Sequence, residues 1–154
     1  MIKDNFLHPD FFKSIQNHVL GCDFPWFLDK VLSNKTHKQM CHFLYSENKP
    51  NSNYFNELLP ILNALKCRSL VRMKFNLTFK TEKIIEHGFH VDEIGQHENI
   101  KTSILYMNTN NGYTTFKTGK KFESKENRLV TFEGHKSHTG TTNSCEQPYR
   151  CVLN

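Results

Sequence analysis

In the segment IIEHGFHVDE, His90 and Asp92 stand two residues apart, so on an extended strand both side chains point to one face. A metal ion needs that convergence. The pair alone is weak evidence, because a chain with nine His meets an H-x-D by accident rather often. Downstream lie EGHKSHTG, which offers His135 and His138, and PYRCVLN, which carries Arg150 twelve residues beyond His138. Two His and one carboxylate occupy one face of an octahedral ion and leave three positions open, an arrangement suited to iron(II) oxygen chemistry. An Arg nearby then has a purpose. A dicarboxylate that chelates the metal at one end needs a charge-assisted, bidentate partner at the other.

The elements that must position these residues follow from periodicity. Residues 9–20, PDFFKSIQNHVL, set Phe11, Phe12, Ile15, Val19 and Leu20 at helical spacing, with a Pro at the start and Gly21 past the end. A loop with Pro25 and Trp26 follows, then an undecided stretch to Tyr45 and a polar segment, SENKPNSN, expected to be loop. Residues 54–66 predict a second helix through Phe55, Leu58, Leu59, Ile61, Leu62 and Leu65, with Pro60 working against its first turns. From residue 69 the period drops to two. Val71, Met73, Phe75, Leu77 and Phe79 alternate with Arg72, Lys74, Asn76 and Thr78, which is a strand. Further strands are expected at 84–91, 101–108, 113–117, 128–133 and 148–153. Helices followed by several short strands predict one mainly β domain over 1–154. Residues 1–68 form its helical cover and 69–154 an antiparallel sandwich or barrel.

Bulk composition fits a globular chain of 154 residues, with 37% apolar and 23% charged residues. The net charge of +5 comes from scattered residues with no basic block, which gives no nucleic-acid arm and only a hint of an anionic ligand. Cysteines at 22, 41, 67, 145 and 151 form no C-x-x-C pair, so reduced thiols are expected. The N-terminal segment lacks the roughly 7–15 apolar residues of a secretion signal, and no stretch approaches the roughly 20 of a membrane span. The expected compartment is a cytoplasm, that of a host if the chain is viral.

In order, HVD at 90–92, TSILYMN at 102–108, NGYTTF at 111–116, NRLVTFEG at 127–134, HTG at 138–140 and RCVLN at 150–154 resemble the 2-oxoglutarate and iron(II)-dependent oxygenases of the prolyl-4-hydroxylase-like type. LVRMKFNL at 70–77 resembles the strand entering this core in small bacteriophage and bacterial members. The resemblance implies a double-stranded β-helix, the jelly-roll-like, cupin-type core, with the metal between its two sheets. It implies that His90, Asp92 and His138 ligate iron(II) and that Arg150 binds the distal carboxylate of 2-oxoglutarate, with O2 as the other cosubstrate. It also favours His138 over His135, through HTG and the spacing to Arg150. Tyr106 falls where relatives place a tyrosine that bonds the same carboxylate, and Asn76 is a further candidate facing that cavity.

On this reading the chain is a dioxygenase that couples decarboxylation of 2-oxoglutarate to C–H hydroxylation. Asp92 favours hydroxylation over halogenation, since related halogenases replace this carboxylate with a small residue. Nucleic-acid demethylases carry a second Arg shortly after the first, whereas four residues follow Arg150 here, which disfavours a nucleic-acid substrate. Peptidyl proline leads as substrate, with a small molecule as the other option. The rival readings are a catalytically inactive jelly-roll binding or structural module and a cupin-like metalloenzyme with no use for Arg150. His87, three residues before His90, is expected on the opposite face, and His87 and His97 are expected at the solvent or behind the ligands. Phe75, Leu77, Phe116 and Phe132 are expected in the core. Lys120, Lys121 and Lys125 form a small basic patch near the expected cavity mouth. The short stretch after Arg150 leaves that end of the barrel either open or completed by a partner.

Overall fold

The computed structural model describes residues 1–31, 34–92 and 100–154. Eleven strands occur among them: β1 (Ile2–Lys3), β2 (Phe27–Val31), β3 (Asn34–Ser46), β4 (Lys49–Pro50), β5 (Met73–Phe79), β6 (Lys101–Tyr106), β7 (Tyr113–Phe116), β8 (Lys121–Glu123), β9 (Arg128–Glu133), β10 (His138–Gly140) and β11 (Tyr149–Leu153). The helices are α1 (Pro9–Val19) and α2 (Leu59–Ala64), the latter preceded by a 3-10 segment, Asn53–Leu58. The large sheet runs β1-β9-β6-β11-β5-β3-β2 with β4 added to β3, and the small sheet runs β10-β7-β8. All pairings are antiparallel.

Alternation along the large sheet assigns its two faces different tasks. Phe75 and Leu77 on β5, Leu105 on β6, Leu129 on β9 and Leu153 on β11 join Phe12, Ile15 and Val19 of α1 and Ile61 of α2 in one core. The helices therefore cover the outer face of the large sheet. Ile104, Tyr106, Val130 and Val152 point the other way and meet Phe116 of the small sheet and Phe132 in a second, smaller core. Strands that bury both faces give both apolar layers from one set of residues, because successive side chains point to opposite sides.

The expected helix at 9–20 and the strands near 70–80, 101–108, 113–117, 128–133 and 148–153 are present, most of them trimmed by a residue or two. The second helix is broken into a 3-10 segment and α2, since Pro60 near the start of α2 has no N–H to carry one continuous helix through. The segment at 84–91 is extended but makes only two isolated bridges, Glu86 with Thr141 and His90 with His138. The undecided stretch before Tyr45 forms β2 and β3, so residues 1–68 supply strands of the large sheet as well as helices. SENKPNSN is a tight hairpin rather than open loop, with Glu47 and Asn48 at positive φ joining β3 to β4. β11 is bordered on both sides, by β5 and β6. Among the described residues no helix is long and apolar enough to cross a membrane.

Phe75 is fully buried at the centre of β5, whereas Phe79 at its end is 59% exposed. Phe75→Ala is expected to lower the free energy of unfolding by about 3–5 kcal/mol, and Phe79→Ala by well under that. Equilibrium urea unfolding reads both, and equal losses would refute this assignment of the core.

Candidate active site

A cavity of about 390 Å³ opens between the two sheets, and one wall is the polar face of β5, formed by Lys74, Asn76 and Thr78, with Arg72 just before the strand. At its rim the chain brings His90, Asp92 and His138 together, with one ligand atom from each inside a 4.8 Å span. His90 Nε2 lies 3.7 Å from Asp92 Oδ1, and His138 Nε2 lies 3.5 Å from Asp92 Oδ2. The backbone sets this up. His90 and His138 are hydrogen-bonded to each other in both directions, N–H to carbonyl, at 2.9 Å, so β10 holds the otherwise irregular segment 86–90 in register.

Each histidine also has its outer nitrogen next to a carbonyl: His138 Nδ1 is 3.0 Å from the Lys136 oxygen and His90 Nδ1 is 3.4 Å from the Gly88 oxygen. That selects the tautomer with the proton on Nδ1 and a lone pair on Nε2, facing Asp92. Burial, followed by the neighbouring His138, pushes the His90 pKa down and keeps the ring neutral, the form that ligates a metal. Asp92 accepts a 2.9 Å bond from the Thr102 hydroxyl and a 3.3 Å bond from Arg72 Nη2. Two imidazoles whose Nε2 atoms face one oriented carboxylate fit a divalent ion with N/O ligands, and the set is the facial one associated with non-haem iron.

Arg150, on β11, is buried inside the sandwich. Its Nε donates to Ser124 Oγ at 2.8 Å and its Nη2 to Thr114 Oγ1 at 3.1 Å, and its guanidinium carbon lies 5.5 Å from the centre of the Tyr106 ring. Among the described residues no carboxylate pairs with it, and burial lowers its pKa. Gly112 makes room for its stem: a Cβ there would sit 2.6 Å from Arg150 Cδ and 2.7 Å from the Thr142 oxygen. Such a cation fits an incoming carboxylate.

Thr114 sharpens that fit. Its oxygen accepts from Arg150 and, at 2.9 Å, from the Tyr106 hydroxyl, so both lone pairs are used, and with no acceptor for it among the described residues its own proton can donate into the cavity that it lines. Tyr106 itself lies behind Thr114, its hydroxyl also reaching the Phe122 oxygen at 3.3 Å. Asn76 lines the cavity; its Nδ2 donates to Asn154 at 2.5 Å, and its buried Oδ1 has no partner among the described residues.

Several neighbours differ from expectation. His87 is buried and lines the cavity with His90, although strand alternation predicts opposite faces; Gly88 at φ 103° breaks the alternation between them. His135 sits exposed in a turn, away from the histidine–aspartate cluster. Lys120, Lys121 and Lys125 are exposed and do not line the cavity; Lys125 pairs with Asp4 at 2.8 Å and Lys121 lies 4.2 Å from the Tyr113 ring centre. Phe75, Leu77, Phe116 and Phe132 are buried as expected. His97 lies outside the described residues. Arg72, Lys74, Thr102 and Thr114 lie inside segments that carry the resemblance but take no role from it, Ser124 lies outside them, and a further signal for the first two is their place in the alternation at 70–80.

No protein-family profile matches the sequence, and no curated protein sequence matches it. Solved structures do match in fold. An oxidoreductase of the 2OG-Fe(II) oxygenase family from Burkholderia pseudomallei superposes with a TM-score of 0.67 at 12% identity, over 99% of this chain and 82% of that one. A prolyl hydroxylase from Trichoplax adhaerens, in complex with a hypoxia inducible factor oxygen degradation domain peptide fragment, gives 0.66 at 10% identity over 99% and 80%. A Pseudomonas putida prolyl-4-hydroxylase gives 0.62 at 13% identity over 99% and 88%. What these matches show is a shared fold, the jelly-roll of this class of solved structures. Within that class, the structures it superposes on include prolyl hydroxylases.

His87 yields a pH prediction. Burial, then the nearby His37, holds its pKa down from 6.5 to about 4 in the folded protein. Between these values the unfolded chain binds a proton that the folded chain refuses, so stability falls as pH drops from about 6.5 to 4. His87→Gln is expected to flatten that part of a pH series of urea unfolding curves. An unchanged slope would exclude His87 as a source.

Proposed function

We propose that this chain is an iron(II) and 2-oxoglutarate-dependent dioxygenase that hydroxylates a C–H bond, with His90, Asp92 and His138 as metal ligands and Arg150 as the anchor for 2-oxoglutarate. The observation that carries this reading is the pairing of two features in one cavity: a cluster of two His and one carboxylate, and a buried Arg with no carboxylate partner among the described residues. Neither is explained by folding alone. A buried guanidinium is costly unless an anion compensates it, and a carboxylate between two imidazoles is a ready ligand set.

Bound iron(II), with 2-oxoglutarate, would supply oxygen activation coupled to decarboxylation of that cosubstrate. The protein's own residues do the positioning. Arg150 is held by Ser124 and Thr114 before any ligand arrives, so little side-chain freedom is lost on binding. The Thr114 proton adds a second donor for the same carboxylate, and Tyr106 acts through Thr114 by keeping that oxygen occupied. Asn76, whose Oδ1 in the cavity wall has no partner among the described residues, is the further contact on the β5 side. Thr102 and Arg72 hold Asp92 in place, and Ile104 and Val152 give the cavity an apolar section that limits water. Prolyl hydroxylases among the fold neighbours support a prolyl substrate, and the free thiols of all five cysteines agree with a reducing compartment such as a cytoplasm.

Iron(II) and 2-oxoglutarate added without oxygen are expected to give a visible charge-transfer band, and admitting oxygen should release succinate. His138→Ala should abolish the band and His135→Ala should leave it. No band and no succinate in the unaltered chain would leave only a jelly-roll binding module. Arg150→Met is expected to weaken 2-oxoglutarate binding by at least about tenfold, the value of one lost charge-assisted contact, measured by titration calorimetry. Unchanged affinity would remove Arg150 from the cosubstrate site.

A further inference from the structure

Among the described residues, Arg150 is not the only cation of the cavity without an ion-pair partner. Lys74 is half-buried on the same wall, between Asn76 on the polar face of β5 and Arg72 just before the strand. Its ammonium rests 5.1 Å from the centre of the Phe43 ring, which also lines the cavity and gives the side chain a fixed position. Among the described residues it makes no ion pair. Asp29 and Asp92 act on it only from a distance, while burial and the charge of Arg72 both disfavour its protonated form. Asp92, moreover, is already engaged by Arg72 and Thr102.

The register separates this charge from the Arg150 site. Arg150 is paired with Thr78, and Lys74 lies four residues back along β5, roughly 13 Å at about 3.3 Å per residue. An anion held by Arg150 and Thr114 therefore leaves Lys74 uncompensated. Among the described residues, four basic side chains, Lys30, Arg72, Lys74 and Arg150, line the cavity against two acidic ones, Asp29 and Asp92, a balance that favours a second anion. The volume of about 390 Å³ is near the small end of the roughly 300–1,000 Å³ of small-molecule sites, and a cosubstrate takes part of it.

Resting on the oxygenase reading above, we propose that Lys74 determines substrate class by binding an oxyanion, a carboxylate or a phosphate, carried by a small substrate in the part of the cavity bounded by Arg72 and Phe43. An uncharged prolyl peptide leaves this lysine without a partner; a small acid or phosphate ester, or a proline with its carboxylate free, satisfies it. Charge and position are both supplied by β5, the strand that also delivers Asn76 toward the cosubstrate end. One strand face thus serves both halves of the reaction.

Inorganic phosphate and acetate, each titrated at constant ionic strength into the full chain saturated with 2-oxoglutarate, test the proposal and tell the two oxyanions apart. At least one is expected to bind, about tenfold more weakly to Lys74→Gln, with binding restored in Lys74→Arg and 2-oxoglutarate affinity kept within about twofold throughout. Lys74→Met, which keeps the stem over Phe43, is the second variant should the Gln form fold poorly. The proposal is overturned if neither anion binds the unaltered chain, if the Gln and Met variants bind as well as it does, or if those variants lose 2-oxoglutarate instead. Failure of 2-oxoglutarate to bind the unaltered chain sinks the cosubstrate reading separately, and the anion titration without it still decides whether Lys74 holds an oxyanion.

Discussion

A guanidinium buried between two β-sheets, with no carboxylate to meet it among the described residues, is the constraint around which the interior is arranged. Arg150 loses its hydration and receives in return two hydroxyl partners and the face of Tyr106, which orient it without neutralising it. The surroundings are shaped to tolerate this. Gly112 has no Cβ where one would strike the Arg150 stem, and Thr114 takes bonds from both Arg150 and Tyr106. A charge held this way costs stability in the empty protein, and binding an anion recovers it.

That cost is carried by strands that are apolar on one face and functional on the other. On β5, Phe75 and Leu77 enter the core under the helices while Lys74, Asn76 and Thr78 line the cavity. On β11, Leu153 packs against that core, and Arg150 and Val152 face the small sheet side. Because the period is two, a one-residue slip in either strand would bury the charges among the phenylalanines and empty the site. Core packing and site geometry are in this sense one register, and α1 with α2 stabilises the site from the far side of the sheet.

Legibility in the sequence followed the strength of this alternation. Residues 70–80 alternate almost without exception, so strand, faces and cavity-lining candidates could all be read, whereas β2 and β3 mix polar and apolar residues and gave no period. Asn76 was readable from the face it occupies. For His87 the alternation fails because it does not run through Gly88, whose positive φ turns the chain. Thr114 and Ser124 could not have been singled out, since a threonine or serine on a strand has many roles and becomes informative only once Arg150 is seen against it. The same holds for Lys74, which in the sequence is one of many lysines and in the fold is a cation facing a cavity.

By itself the sequence determined the residue types, their local faces and their order: an H-x-D pair on an extended segment, a later histidine, an arginine near the last strand, and helices preceding a run of strands. Those are properties of neighbours in the chain, and dihedral geometry transmits them over a few residues. Tertiary structure alone decided which of His135 and His138 meets Asp92, that Tyr106 stands behind Thr114, and that Arg150 and Lys74 share one cavity at separate positions. These depend on pairings between strands that are distant in sequence, β10 against the segment at His90 and β11 against β5. Such pairings are selected by the packing of both cores at once, a property of the whole chain that no short stretch of it encodes.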